Sequence, residues 1–368
     1  MNCCIECFRD SEIREVIKSQ GEMGNCDFCG STGIHIYPIG EVGAVEDMIN
    51  GVIDVYEPDN NSDKELQFAL LTDWSIFSEI FSDKLYDTHG LDRKYVLIDL
   101  VSNLCSAYRD VDDPVYTGNV RITNSDDDAL SEFGIVSGWN WDAFSDVIKY
   151  KNRFHNNLFH PEIMASFLSY AVKNYDADFI CYRARRCDDR DGLTADKMGA
   201  PPSDKSTAGR ISPEGVSVLY LASNAETALS EIRASTYDFV SVGTFRAKRA
   251  FRVVNLLDLA DISPFVYITK SPYGYGDLWQ YAINHSCLRD FADAVSKPLR
   301  RNDSPLDYLP TQFIAEFIKS ENYDGVEYKS TMNFGSTNLA IFDKSIFECI
   351  DVKTVEVSEI QYLTKPSI

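Results

Sequence analysis

The sequence predicts an α+β protein, helical in its first part and mixed α and β in its second. Three observations carry that prediction. Two Cys-x-x-Cys pairs, Cys4/Cys7 and Cys26/Cys29, stand in the first 38 residues. Apolar residues then recur at three- and four-residue spacing to about residue 172, the period of helices packed on one face. After Tyr175, β-branched and aromatic runs take over, at Phe179 to Arg183, Val216 to Ala222, Phe239 to Phe245 and Phe251 to Asn255. The expected segments are a Cys-rich knuckle over 1–38, a helical domain over 39–174 and a mixed domain over 175–368.

The two cysteine pairs have the spacing that presents four thiolates tetrahedrally to Zn²⁺, with a polar, helix-capable stretch between them. Four thiolates leave no open position for water, so a structural role is expected and no catalysis is assigned. Cys3 is a spare, and buried or reactive thiols without metal remain the other reading of the same spacing. Next, Val45, Met48, Ile49, Val52, Ile53 and Tyr56 predict a helix from Glu41 to about Tyr56, stopped by Glu57-Pro58-Asp59-Asn60. Leu66, Leu70, Trp74, Phe77 and Phe81 predict another over Lys64 to Ser82, its apolar stripe read as core. Further helices are expected at Tyr95 to Arg109, Trp141 to Phe154 and Pro161 to Val172. Asp126-Asp127-Asp128 lacks the glycine and closing glutamate of a calcium loop and reads as a solvated turn. In the second part, helices are expected at Leu278 to Val295 and Pro310 to Ser320, and strands at Gly325 to Ser330 and Asn338 to Phe342.

Composition narrows the function. With 35 basic against 57 acidic residues the net charge is −22, which repels nucleic-acid phosphates and anionic membrane surfaces but suits a basic partner. No apolar run approaches a membrane span, and MNCCIECFRD has neither a basic nor an apolar leader region, so a cytoplasmic location is expected. There, ten cysteines point to thiols or metal thiolates rather than disulfides. The chain has no GxxxxGK[ST], GxGxxG after a strand, HExxH or GxSxG, and of its five histidines, at 35, 89, 155, 160 and 285, none stands at a metal-ligand spacing with another except His155 and His160, which lie on either side of a break.

Chemistry concentrates between Asp178 and Arg233. Arg183 follows Tyr182 near the end of a strand-like run, and Arg210 follows a glycine in a loop. Together they form a candidate phosphate clamp, since guanidinium forks match phosphate oxygens, although ion pairing in so acidic a chain explains either one equally. Ser223-Asn224-Ala225-Glu226 has the pattern of a capping box opening a helix, which places Glu231 about two turns in. Alone, that carboxylate reads as a solvated helix face.

The order Tyr182-Arg183-Ala184-Arg185, Met198-Gly199-Ala200-Pro201-Pro202, Gly209-Arg210 with Gly215, Leu219-Tyr220-Leu221-Ala222 and Thr227-Ala228-Leu229-Ser230-Glu231 resembles the RES domain family. Tyr323 to Ser330, followed by Asn338 to Phe342, resembles the family's C-terminal strand motif, with Ser330 as the matching serine. Ser212 departs from the pattern, which usually has asparagine there. The Cys4, Cys7, Cys26, Cys29 segment with its helices is similar to the N-terminal domain accompanying some HEPN and RES proteins.

The resemblance implies an ADP-ribosyltransferase-like catalytic fold and degradation of NAD⁺ by hydrolysis or phosphorolysis, often by the toxin of a toxin–antitoxin pair. It implies Glu231 as the carboxylate facing an oxocarbenium-like ribose, and Ser330 orienting the ribose or the attacking water or phosphate. Arg183 and Arg210 would hold the pyrophosphate, with Tyr182 and Tyr220 beside the substrate. A helix-turn-helix antitoxin is the partner this precedent suggests; a homo-oligomer stays open. Transfer of ADP-ribose to a protein acceptor and a zinc-containing module that binds NAD⁺ without turnover are the alternatives.

Overall fold

The structure, a computed structural model, describes residues 1–40, 42–71, 77, 79–85, 96–123, 127–137, 141–270, 278–297, 304–333 and 335–360. It is mixed α and β and divides into two compact units, one of residues 1–139 with 262–287, the other of 140–261 with 288–368. The helices at 141–150 and 161–170, grouped by their periodicity with the helical segment, therefore belong with the strand-rich unit. Among the described residues no helix is long and apolar enough to cross a membrane.

In the first unit, β1 (Asn2–Cys4), β2 (Met23–Asn25) and β3 (Thr32–Pro38) form an antiparallel sheet in the order β1-β3-β2. The helix between the cysteine pairs, Ser11–Gln20, starts where the Asp10 carboxylate accepts the amides of Glu12 and Ile13, and ends at Gly21 with φ of 71°. Ile13 and Ile17 are its buried stripe. The expected helix at 41–56 runs from Ala44 to Ile53, because Tyr56–Pro58 becomes strand β4, paired with β5 (Val120–Ile122). That expected at 64–82 is helical over Leu66–Leu71, and its Trp74 lies outside the described residues. Phe77 and Phe81 are buried as the pattern required. The helix expected from Tyr95 covers Val96–Leu104, with Tyr95 outside the description. Asp127 and Asp128 open a helix, Asp127–Phe133, rather than a turn; Asp126 is not described. His89 also lies outside the described residues.

Among the described residues the second unit has eight strands: β6 (Val172–Tyr175), β7 (Ile180–Cys187), β8 (Leu219–Ala222), β9 (Phe239–Ala247), β10 (Phe251–Asn255), β11 (Gly325–Lys329), β12 (Thr337–Ile341) and β13 (Phe347–Glu356). Their order is β13-β9-β7-β8-β12-β11-β10-β6. Among the described residues only β10 and β11 pair in parallel. Side-chain alternation splits the sheet into two faces. Leu219, Leu221, Leu339 and Ile341 point one way into a core with Phe251, Phe347 and Met198, each large side chain contributing about 1.5–3 kcal/mol on burial. Ala184, Ala222, Val240 and Val242 point the other way, against the helix Ala225–Glu231. Gly325 is obligatory on β11, since a Cβ there would fall on the Ala340 carbonyl of the neighbouring strand. The long edge strand β13, paired with β9 over nine residues, was not expected from the sequence.

Candidate active site

The helix Ala225–Glu231 is capped by Asn224, whose side chain accepts the Thr227 amide at 2.8 Å, so the cap sits one residue beyond the Ser223 start expected from the capping-box pattern. Seven residues long, the helix ends on Glu231. Ser330 lies directly after β11 and Asn338 is the second residue of β12, strands joined in antiparallel register with Tyr328 opposite Asn338. Asn338 in turn sits opposite Ala222 on β8, and its side chain therefore points to the face that carries the helix.

These elements converge on one carboxylate oxygen. Ser330 Oγ and Asn338 Nδ2 each donate to Glu231 Oε1 at 2.7 Å, the short range of charge-assisted bonds. Among the described residues no hydrogen bond goes to Oε2. Ser330, 2% exposed, has its orientation dictated: Oγ accepts the amides of Met332 at 3.2 Å and Asn333 at 3.3 Å, leaving its only proton for Glu231. Asn333 Nδ2 donates to Thr227 Oγ1 at 2.9 Å, and Thr227 is itself bonded to Asn224, tying Asn333 to the start of the Glu231 helix.

Glu231 and Asn338 open onto a cleft of about 230 Å³, whose walls include Arg210, Tyr220, Lys297, Tyr328 and Met332. The Gly209-Arg210 loop is held from behind by the helix Leu309–Ser320: Gln312 Nε2 donates to the carbonyls of Gly209 at 2.6 Å and Ser212 at 3.2 Å, and Thr311 Oγ1 to that of Arg210 at 2.6 Å. The Arg210 guanidinium donates to the Ala294 carbonyl at 2.8 Å and lies 5.5 Å from the centre of the Tyr308 ring, a cation–π distance. Ser212, where the family pattern has asparagine, bonds the Tyr220 hydroxyl at 2.9 Å. Gly209 approaches that hydroxyl so closely that a Cβ would stand 3.3 Å from it.

Burial raises the Tyr220 phenol above the ordinary tyrosine value, against the lowering effects of Ser212 and Arg183. It also raises Tyr328 well above that value, with Tyr220 and Glu231 adding to the effect. Both are neutral hydroxyls at neutral pH. Arg183 Nη1 donates to the Tyr220 carbonyl at 3.2 Å, while its buried Nε has no hydrogen-bond partner among the described residues. Burial, reinforced by Arg185, brings this guanidinium down to about 10, still cationic at neutral pH. Tyr182, paired with Ala222, packs on the apolar cluster beneath the helix and does not line the cleft.

The first unit holds a separate cluster. The Sγ atoms of Cys4, Cys7, Cys26 and Cys29 all lie within 4.8 Å of one another, at 3.8 Å for Cys4–Cys7, 3.4 Å for Cys4–Cys29 and 3.5 Å for Cys7–Cys26. A tetrahedral ion with about 2.3 Å metal–sulfur bonds sets its sulfurs roughly 3.8 Å apart, so the donor set fits a four-thiolate centre. The Cys29 amide donates to Cys26 Sγ at 3.4 Å, and Gly30, with φ of 76°, makes the turn that follows. Cys3 lies outside this set; its thiol faces the Tyr37 carbonyl at 3.7 Å, and burial pushes it up.

Of the site residues expected from the sequence, Glu231, Ser330, Arg210 and Tyr220 come to or beside one cleft, whereas Arg183 and Tyr182 do not line it. Asn338 was not expected; its only signal is an amide at a strand position that alternation turns inward, where it is 5% exposed. Lys297 and Tyr328 were not expected either.

A family model described as RES domain matches residues 180–363, half of the 368 residues. No curated protein matches the chain. Among solved structures, a chain of the M. tuberculosis MbcT-MbcA toxin-antitoxin complex is 11% identical, with a TM-score of 0.31 over 52% of this chain and 92% of that one. The matched segment contains the Glu231–Ser330–Asn338 constellation and every strand from β7 to β13, and over that half of its length the chain belongs to the RES domain family.

Proposed function

We propose that the chain cleaves the nicotinamide–ribose bond of NAD⁺, on an ADP-ribosyltransferase-like catalytic fold, and acts as a growth-arresting toxin. The observation that carries this reading is the Glu231 carboxylate held through Oε1 by Ser330 and Asn338 at 2.7 Å each, at the wall of a cleft that also presents Arg210 and Tyr220.

In the proposed reaction the C1′–N bond breaks and its electron pair leaves with nicotinamide, which departs neutral. Positive charge develops over C1′ and the ring oxygen of the ribose. Glu231 faces that charge, with Oε2 available to accept a ribose hydroxyl, and a fixed carboxylate stabilises the transition state without reorganising. Water or phosphate then adds to C1′ and loses a proton, giving ADP-ribose or its 1-phosphate. Ser330 and Asn338 act on the ribose through Glu231, while Arg210 contacts the pyrophosphate and Arg183, which does not line the cleft, adds buried positive charge behind Tyr220. Tyr220 holds the Gly209–Ser212 loop and keeps a neutral hydroxyl beside the ribose. Tyr182 supports the helix that ends on Glu231.

The four thiolates are proposed to hold Zn²⁺ as a structural ion, a role in which it adds folding energy and no reaction step. A helix-turn-helix antitoxin that blocks the cleft, and cytoplasmic action, complete the proposal. The test is nicotinamide release from NAD⁺ by the purified chain, with and without phosphate, beside Glu231→Ala. No release by the wild type, or equal release by the variant, overturns it.

A further inference from the structure

The cleft at Glu231 measures about 230 Å³, below the roughly 300–1,000 Å³ of pockets that enclose drug-sized ligands. A dinucleotide is larger than such ligands, so this cleft suits only its reactive half. A second cavity, of about 670 Å³, shares Arg210 and Lys297 with the first. Its far wall is the helix Trp141–Tyr150, which lies outside the matched segment 180–363.

Trp141 opens that helix and lines the cavity half-buried. Its ring is braced by Phe144 at 5.5 Å and Phe291 at 6.0 Å between centroids, which fixes it as a platform. Asp142 and Asp146, four residues apart, share a helix face, and both line the cavity. Among the described residues neither is in an ion pair. Asp307, by contrast, is engaged by Lys149 Nζ at 2.9 Å and the Ser304 amide at 3.0 Å.

We propose that this second cavity takes the adenosine half of the dinucleotide: adenine stacked on Trp141, the ribose 2′,3′-diol on Asp142 and Asp146, and the pyrophosphate between Arg210 and Lys297. It rests on the reading of NAD⁺ as substrate and adds a specificity to it. Carboxylates at a ribose diol accept its two hydroxyls and repel a 2′-phosphate, as the acidic residue of dinucleotide-binding folds does. The chain therefore selects NAD⁺ over NADP⁺.

The test is calorimetric binding of ADP-ribose, which measures the subsite without turnover, to the full chain and its variants. Base–aromatic stacking sets the expected loss for Trp141→Ala at about 5- to 150-fold, with Trp141→Phe recovering most of it. Binding of nicotinamide mononucleotide, which lacks the adenosine half, stays unchanged. Asp142→Asn with Asp146→Asn narrows the preference for ADP-ribose over its 2′-phosphate by about tenfold, the scale of one lost charged contact, in a protein whose exposed positions leave folding intact. Wild-type affinity in Trp141→Ala, or an unaltered preference in the double aspartate variant, overturns the subsite. If the wild type binds ADP-ribose through Trp141 yet releases no nicotinamide, the subsite stands and the reaction proposed above falls.

Discussion

Ser330 has one proton and three neighbours, and that arithmetic defines it. Two backbone amides occupy its lone pairs, so the hydroxyl is a donor to Glu231 and is not available to a water molecule. Losing one charge-assisted bond costs about 1.5–3 kcal/mol, so Ser330→Ala and Asn338→Ala should each lower kcat by about 10- to 100-fold. KM should move far less, and the double variant should fall short of the product of the singles, because both bonds end on Oε1. Steady-state nicotinamide release reads this; a loss confined to KM would place these residues on the substrate instead. Arg183 makes the opposite kind of prediction. Burial lowers it to about 10, below the ordinary arginine value, and a base whose folded value lies below its unfolded one costs stability wherever it is charged. That cost is in full force below about pH 10 and fades above it. Arg183→Met should therefore melt no lower than the wild type at pH 7 while losing NAD⁺ turnover; a melting point several degrees lower would show the guanidinium to be structural. At this scale Glu231 and Ser330 were legible through a motif, Asn338 was not. Its partner is 107 residues away, and a lone asparagine in an apolar strand acquires meaning only from register.

Elements explain which parts of the architecture the sequence revealed. Helices with one apolar stripe, such as Trp141–Tyr150 and Leu309–Ser320, are readable because their period survives any tertiary context. The edge strand β13 carries polar or half-buried residues on both faces, FECIDVKTVE, and its identity comes from nine pairings to β9. The N-terminal strands were hidden likewise, since Thr32–Pro38 interleaves Gly and His with apolar residues, yet β1 and β3 are what bring Cys4 toward Cys26 and Cys29. If the cluster binds Zn²⁺, the purified chain should carry about one ion, and Cys26→Ser should lower the melting temperature by several degrees as the metal's share of folding energy is lost. Metal analysis and thermal melts decide it. Ten cysteines titrating as free thiols in the native chain, with no metal present, would rule the centre out.

For the whole molecule, the net charge of −22 surrounds a cleft that carries Arg210 and Lys297 on its wall. Under the proposed reaction these two cations are the local contacts for an anionic dinucleotide in an otherwise acidic protein, whose charge suits the proposed basic partner. Composition suggests such a partner, and family order locates the RES domain. Neither could show that the second unit takes in the helices at 141–170, and hence Trp141. The proposed cleavage breaks one bond, and one measurement reaches it: nicotinamide released from NAD⁺ by the purified chain, compared with Glu231→Ala. The wild type should turn NAD⁺ over and the variant should lose about two to three orders of magnitude in rate. Equal rates, or no release by the wild type, would contradict the proposed cleavage.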